Sequence, residues 1–257
     1  MKVLLVNDDG VYAPGIKTLK KTLESKGKYD VYTVAPLEER STTGHTLTLD
    51  STLRVEQIDE KTYGCSGYPA DCTLIGIGHL LKEISPDVII SGINRGANLA
   101  QDIYYSGTCA AAREASFHGY KSIAVSTVLN LSQVPDVIHF ETAAEYICNF
   151  LELDVLDHID PLTMLNFNVP NVPYNELKGD EVTFLGRRLY SEKIDQRTDF
   201  RGRPYYWLVG EFHGNEDIEG SDCYACDNGR VSITPLDLLY RYGNLQEKWQ
   251  GIIKPLI

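Results

Sequence analysis

Apolar residues recur along the chain in two rhythms, and the switching between them predicts the architecture. Lys2 to Val6 is a short apolar run of the kind buried on both faces of a parallel sheet, and Ile16, Leu19 and Leu23 follow it at helical spacing. Val31 to Ala35 reads as a second strand, closed by Pro36. Leu47, Leu49, Leu53 and Val55 then alternate with polar residues, and the turn Asp59-Glu60-Lys61 precedes Gly64, so a β-hairpin insertion is expected over 46–66. Pro69 to Lys82 predicts a helix, Asp87 to Ile90 a strand, Ser106 to His118 a helix, Ser122 to Ser126 a strand, Glu141 to Leu153 an amphipathic helix and Met164 to Val169 a strand. Strands that alternate with helices predict an α/β fold: a mostly parallel sheet covered by crossover helices.

Beyond Pro170-Asn171-Val172-Pro173 the rhythm changes. Glu181 to Tyr190 and Tyr205 to Phe212 are longer β-like stretches separated by the polar run Ser191 to Arg203, and Arg230 to Leu236 alternates as a strand. A boundary near residue 180 therefore divides an α/β core, 1–180, from a β-rich C-terminal extension, 181–257.

Composition narrows the function. Twenty-four basic against thirty-six acidic residues in 257 give a formal net charge of −12. Such a chain has no general attraction for a nucleic-acid duplex, and a small anion would need locally arranged donors, cationic side chains or a metal. No apolar run reaches the roughly 18 residues of a membrane helix, and the first residues are too short for a signal-peptide core. The six cysteines fit a reducing compartment, so a cytoplasmic protein without a membrane partner is expected. Cys223 and Cys226 form a CxxC with no second half to complete a zinc site.

Ligands of open parallel sheets gather beyond the carboxyl ends of the strands. The residues found there are Asn7-Asp8-Asp9-Gly10, Glu38-Glu39-Arg40-Ser41 and Ser91-Gly92-Ile93-Asn94. Adjacent strand residues face opposite ways, but Asp9-Gly10 is a turn signal, and a chain leaving the extended form at Asp8 turns both carboxylates to one point. Paired carboxylates need a shared proton or a cation. With Ser41 and Asn94 as neutral oxygen donors the set suits Mg²⁺ or Mn²⁺ better than zinc. The competing reading of Asp8 and Asp9 is a solvated turn capping the next helix.

A second constellation weighs against that reading. A long polar loop from Gly92 ends at Ser106-Gly107-Thr108, directly before the helix-forming Ala110-Ala111-Ala112-Arg113-Glu114. Hydroxyls and free N–H groups at a helix start make an anion site, although Ser106 or Thr108 also serves as an ordinary N-cap. A cation site and an anion site on one sheet edge are the parts that metal-assisted phosphoryl chemistry needs. His45, Arg95 and Arg113 are secondary candidates for contact with substrate. A phospho-signalling receiver module without turnover is the rival class. A dinucleotide-binding oxidoreductase would carry GxGxxG after the first strand, which is absent.

These residues also resemble a known family. Asn7-Asp8-Asp9-Gly10-Val11 with Ala13-Pro14-Gly15-Ile16, Val34-Ala35-Pro36 before Arg40-Ser41, Ser91-Gly92-Ile93-Asn94 with Gly96 and Asn98-Leu99, and Tyr105-Ser106-Gly107-Thr108 are similar to the motifs of the survival protein SurE family. The likeness resumes at Asn166 to Pro170 and from Gly220 to Leu236. It implies a Rossmann-like three-layer αβα core and a metal-dependent phosphatase of nucleoside 5'-monophosphates, with 3'-monophosphates and short polyphosphate as further substrates. It further implies one divalent cation per subunit held by Asp8, Asp9, Ser41 and Asn94, phosphate contacts at Asn98, Ser106, Gly107 and Thr108, and a homodimer or homotetramer built through the C-terminal arm. Departures from the family pattern fall at Leu37, Glu38, Ala100, Cys109 and Ala115. None removes a proposed ligand, but Glu38 puts in doubt any cationic contact with substrate at that position.

Overall fold

A computed structural model describes residues 1–129, 137–208 and 210–239. The first half runs β1 (Lys2–Val6), α1 (Pro14–Ser25), β2 (Asp30–Pro36), β3 (Val55–Asp59), β4 (Thr62–Cys65), α2 (Pro69–Ile75), β5 (Val88–Arg95) and α3 (Gly107–Phe117). It continues with β6 (Lys121–Val128), α4 (Phe140–Leu151), β7 (Thr163–Pro170), β8 (Asp180–Val182), β9 (Arg188–Tyr190), β10 (Ile194–Thr198), β11 (Pro204–Leu208), β12 (Phe212–Asn215), α5 (Asp222–Asp227) and β13 (Val231–Asp237). One nine-stranded sheet has the order β3-β4-β2-β1-β5-β6-β7-β13-β8. Pairing is parallel from β4 through β2, β1, β5 and β6 to β7, whereas β3 and β13 join antiparallel.

Side-chain alternation along β1 builds the layers. Val3 and Leu5 join a core with Ile16, Leu19 and Leu23 of α1 and Ile147 of α4, whereas Leu4 and Val6 join Cys72 of α2 and Ala111 and Ala115 of α3 on the opposite face. The result is the three-layer αβα arrangement, with helices on both faces of a mostly parallel sheet. From β1 the chain moves to β2 on one side and returns, through α2, to β5 on the other. The crevice beyond the carboxyl ends of β1 and β5 is therefore the switch point of the sheet.

Three expectations change. The hairpin is β3–β4 rather than 46–66, and its second strand pairs in parallel with β2, so it extends the main sheet instead of standing apart from it. The alternation at Leu47 and Leu49 belongs to a loop, and Leu49 is 82% exposed. The stretches Glu181–Tyr190 and Tyr205–Phe212 are each broken in two, and the polar run between them contains β10. There β10 and β11 form a two-stranded ribbon whose residues are solvated on both faces, so no apolar alternation marks it. Residues 209 and 240–257 of the C-terminal extension lie outside the described residues, while β8 and β13 are strands of the main sheet.

Candidate active site

The turn after β1 is locked by one side chain. Asn7 Oδ1 accepts from Gly10 N–H at 3.2 Å and its Nδ2 donates to Gly10 O at 2.9 Å. Gly10 has φ +102°, a conformation that costs glycine little and other residues much. The chain has left β1 after Val6 and bends at both aspartates, and their carboxylates become electrostatic neighbours although they are adjacent in sequence.

Asp8 is 3% exposed and points to the start of α3. Its Oδ1 accepts from Thr108 Oγ1 at 2.5 Å. Burial raises its pKa, against the lowering effect of that hydroxyl and of the backbone amides of Asp8, Thr108 and Gly107. A Cβ on Gly107 would lie 2.7 Å from Asp8 Cβ and 2.9 Å from Pro69 Cγ, so glycine is what lets the helix approach this closely. Part of the anion-binding capacity foreseen at the helix start is thus directed at a carboxylate of the protein itself. Ser106, the N-cap, accepts from Cys109 N–H at 3.0 Å, which leaves its hydroxyl proton free to donate.

Asp9 is held from the other side, its Oδ2 accepting from Arg95 N–H at 3.2 Å. Burial first, and then the charge of Asp8, push its pKa up to about 6. Asn94 donates its Nδ2 to Gly96 O at 2.9 Å, so its Oδ1 is not tied by that bond. Ser41 donates to Glu39 Oε1 at 2.9 Å, and the Arg40 N–H bonds Asp8 O at 2.7 Å, fastening the loop after β2 to the end of β1.

A cavity of about 790 Å³ opens over this edge, within the range of small-molecule sites, roughly 300–1,000 Å³. Asp8, Ser41, Asn94, Asn98 and Ser106 are among the residues that line it, together with Arg95 and Tyr105. Asp9 instead lines a smaller adjoining cavity of about 330 Å³ with Glu39 and Arg95. Asn98 donates to Ser126 Oγ at 2.8 Å, and its backbone is held by Asn166 and Asn168 from β7. Thr108 and Gly107 act on Asp8 rather than as part of the cavity lining.

Of the secondary candidates, Arg95 lines both cavities, whereas His45 and Arg113 do not line either. His45 Nε2 is 2.7 Å from Glu114 Oε2, and its ring stacks on Phe117. Arg113 donates to Ile103 O at 3.2 Å. Cys223 and Cys226 are buried thiols packed with Leu99 and Ala100.

Sequence reasoning missed one cluster altogether. Arg188 and Tyr190 of β9 reach the same cavity, and both bond Asp102 Oδ2, at 2.5 and 2.6 Å. The one available signal was a pair of arginines, Arg187 and Arg188, inside the β-like run Glu181 to Tyr190.

The family described as "Survival protein SurE" matches residues 3–192. The chain is 43% identical over 242 residues to a protein of Petrotoga mobilis named 5'-nucleotidase SurE, covering 93% of each, and 44% identical over 247 residues to one of the same name from Geobacter sulfurreducens, covering 95% of this chain and 91% of that one. Among solved structures it is similar to the crystal structure of the SurE protein from Aquifex aeolicus, with a TM-score of 0.82, 39% identity and coverage of 98% and 99% of the two chains.

Proposed function

Because the chain belongs to the survival protein SurE family, we infer that its cavity hydrolyses nucleoside 5'-monophosphates to nucleoside and phosphate, the 5'-nucleotidase activity for which its relatives are named. One observation carries this reading: two largely buried carboxylates that raise each other's cost of ionisation sit at one sheet edge, one of them bonded to the start of α3 and lining the large cavity.

The donors fit a hard divalent cation. Both carboxyls are pushed above their usual range by burial, and the hydrogen bonds given to them do not offset it, so a positive charge between them would relieve the cost. We assign Asp8, Asp9, Ser41 and Asn94 as the residues that hold one Mg²⁺ or Mn²⁺ per subunit, an all-oxygen set. When bound, such an ion supplies charge neutralisation at the phosphoryl group and lowers the pKa of water. The protein's own groups do the positioning. Ser106 directs its hydroxyl proton at a phosphoryl oxygen, Asn98 offers the amide hydrogen not used by Ser126, and Thr108 and Gly107 keep Asp8 in place. Phosphoryl transfer asks for little beyond positioning and electrostatic stabilisation.

The test is phosphate release from nucleoside 5'- and 3'-monophosphates and short polyphosphate, with EDTA and then with Mg²⁺ or Mn²⁺ restored. Release from 5'-monophosphates that EDTA stops and metal restores is expected, as is its loss in a folded Asp9→Asn variant. A folded wild type that releases nothing with either metal would return the weight to a signalling module without turnover.

The extension from residue 181 is proposed as an oligomerisation arm of a homodimer or homotetramer. The exposure of Phe200, Trp207 and Leu208 on the β10–β11 ribbon supports it, and sedimentation of the full chain tests it. No helix among the described residues is long and apolar enough to cross a membrane. The six cysteines, unpaired and buried, support a cytoplasmic location.

A further inference from the structure

The cavity is lined by two unlike kinds of residue. Asp8, Ser41, Asn94, Asn98 and Ser106 give it polar groups that suit a phosphate, Tyr105, Leu129, Tyr190 and Leu208 give it aromatic and apolar ones, and Arg188 lines it as well. Arg188 is only 8% exposed. Its Nη1 lies 2.5 Å from Asp102 Oδ2, and its guanidinium carbon sits 4.4 Å from the centroid of the Phe212 ring. Tyr190 OH donates to the same Asp102 oxygen at 2.6 Å. Gln101 clasps the backbone of Arg188 from both sides, its Nε2 donating to Arg188 O at 2.6 Å and its Oε1 accepting from Arg188 N–H at 3.0 Å.

So firm a mounting leaves one group unexplained, because Arg188 Nε is buried without a hydrogen-bond partner. Desolvating a donor on a charged group with nothing to receive it is costly, and such a group calls for an explanation such as a functional role or an ordered water or ion. A guanidinium carries five N–H donors, and the bond to Asp102 uses one of them. The same ion pair decides what kind of acceptor fits. With its charge cancelled by Asp102, Arg188 adds little to the binding of a phosphate dianion, but its remaining hydrogens suit neutral oxygen or nitrogen acceptors beside aromatic walls.

We propose that Arg188, carried into the cavity wall by β9, is the specificity-determining residue for the nucleoside portion of the substrate, donating hydrogen bonds to neutral acceptors of its sugar or base. The proposal rests on the nucleotidase reading above. It assigns the C-terminal extension a part in substrate choice, and it makes Asp102 and Tyr190 the positioning residues that aim the guanidinium.

The experiment compares the full-length wild type with Arg188→Lys, which keeps a cation against Asp102, and with Tyr190→Phe. Each is loaded with Mg²⁺ or Mn²⁺ and given adenosine 5'-monophosphate or phenyl phosphate, an ester with no sugar or base. In Arg188→Lys the KM for the nucleotide rises roughly tenfold or more while kcat stays within about threefold, and both constants for phenyl phosphate stay within about twofold. Tyr190→Phe shows the same selectivity, more weakly. A parallel loss on both esters, or no loss on the nucleotide, overturns the proposal. Adenosine binding by calorimetry supplies a readout that needs no turnover, and roughly tenfold weaker binding by Arg188→Lys is expected. A wild type that binds adenosine yet releases phosphate from neither ester sinks the nucleotidase reading and leaves the role of Arg188 to be read from binding. Equal adenosine binding by wild type and Arg188→Lys, or none by the wild type, overturns that role.

Discussion

Thr108 donates a 2.5 Å hydrogen bond to Asp8, joining the first turn of α3 to the end of β1 across 100 residues of sequence. Hydrogen bonds to charged groups contribute about 1.5–3 kcal/mol, so Thr108→Val, which keeps the shape and removes the hydroxyl, is expected to lower kcat/KM about 10- to 100-fold. Thr108→Ser should stay within about threefold. Steady-state kinetics on the three proteins decide it, and a fully active Val variant would show that the bond does not position Asp8.

Gly107→Ala tests the same junction by volume. The added methyl would sit 2.7 Å from Asp8 Cβ and 2.9 Å from Pro69 Cγ, and neither atom is the far end of a flexible chain. Either the helix start or the aspartate must move, and a displacement of this kind in a preorganised site costs about 100-fold in activity. Circular dichroism should report an intact fold; unchanged turnover would mean that the start of α3 is soft.

How far this site was legible beforehand follows from distance along the chain. The five strands β1, β2, β5, β6 and β7 were readable because strands buried on both faces are continuous apolar runs, and the residues at their carboxyl ends were readable as a consequence. The partnership of Thr108 with Asp8 was not, because the stretch around Thr108 reads equally well as a plain helix cap. Arg188 escaped for a related reason: among the described residues β9 pairs with β12 alone, outside the main sheet, so no local period announced which way its side chains face.

The aspartate pair makes stability depend on pH and on metal together. Unfolded, Asp9 titrates near 3.8; folded and metal-free, near 6. Between those values the native state binds more protons, so stability falls as pH rises from about 4 to about 6, and the penalty, on the order of 2–3 kcal/mol, persists above that. A cation that occupies the pair removes the penalty and competes with the protons. The rise in Tm on adding Mn²⁺ should therefore be larger at about pH 7.5 than at about pH 5. Equal rises at both values would take the pair out of the cation site.

Asp222 is the structural counterpart, a wholly buried carboxylate with amide partners. Its oxygens accept from Ala100 N–H at 2.7 Å, Gly186 N–H at 2.7 Å and Cys223 N–H at 2.8 Å, and burial raises its pKa against the pull of these amides. Asp222→Ala orphans three donors at once and should cost about 3–5 kcal/mol in denaturant unfolding, with Asp222→Asn losing less. A loss below about 1 kcal/mol would show that the loop before α3 and the start of α5 do not depend on this residue.

The clasp between Gln101 and Arg188 has a consequence for how the molecule opens. A primary amide that both gives to and takes from a peptide unit imitates one rung of a β-ladder, here between residues 87 apart. Lifting β9 breaks that rung and the Asp102 pairings in the same event, so the pocket wall and the β5–α3 loop are expected to open as one cooperative unit in hydrogen exchange. The amide proton of Arg188 then exchanges only when that whole unit opens, not by fraying of the extension alone.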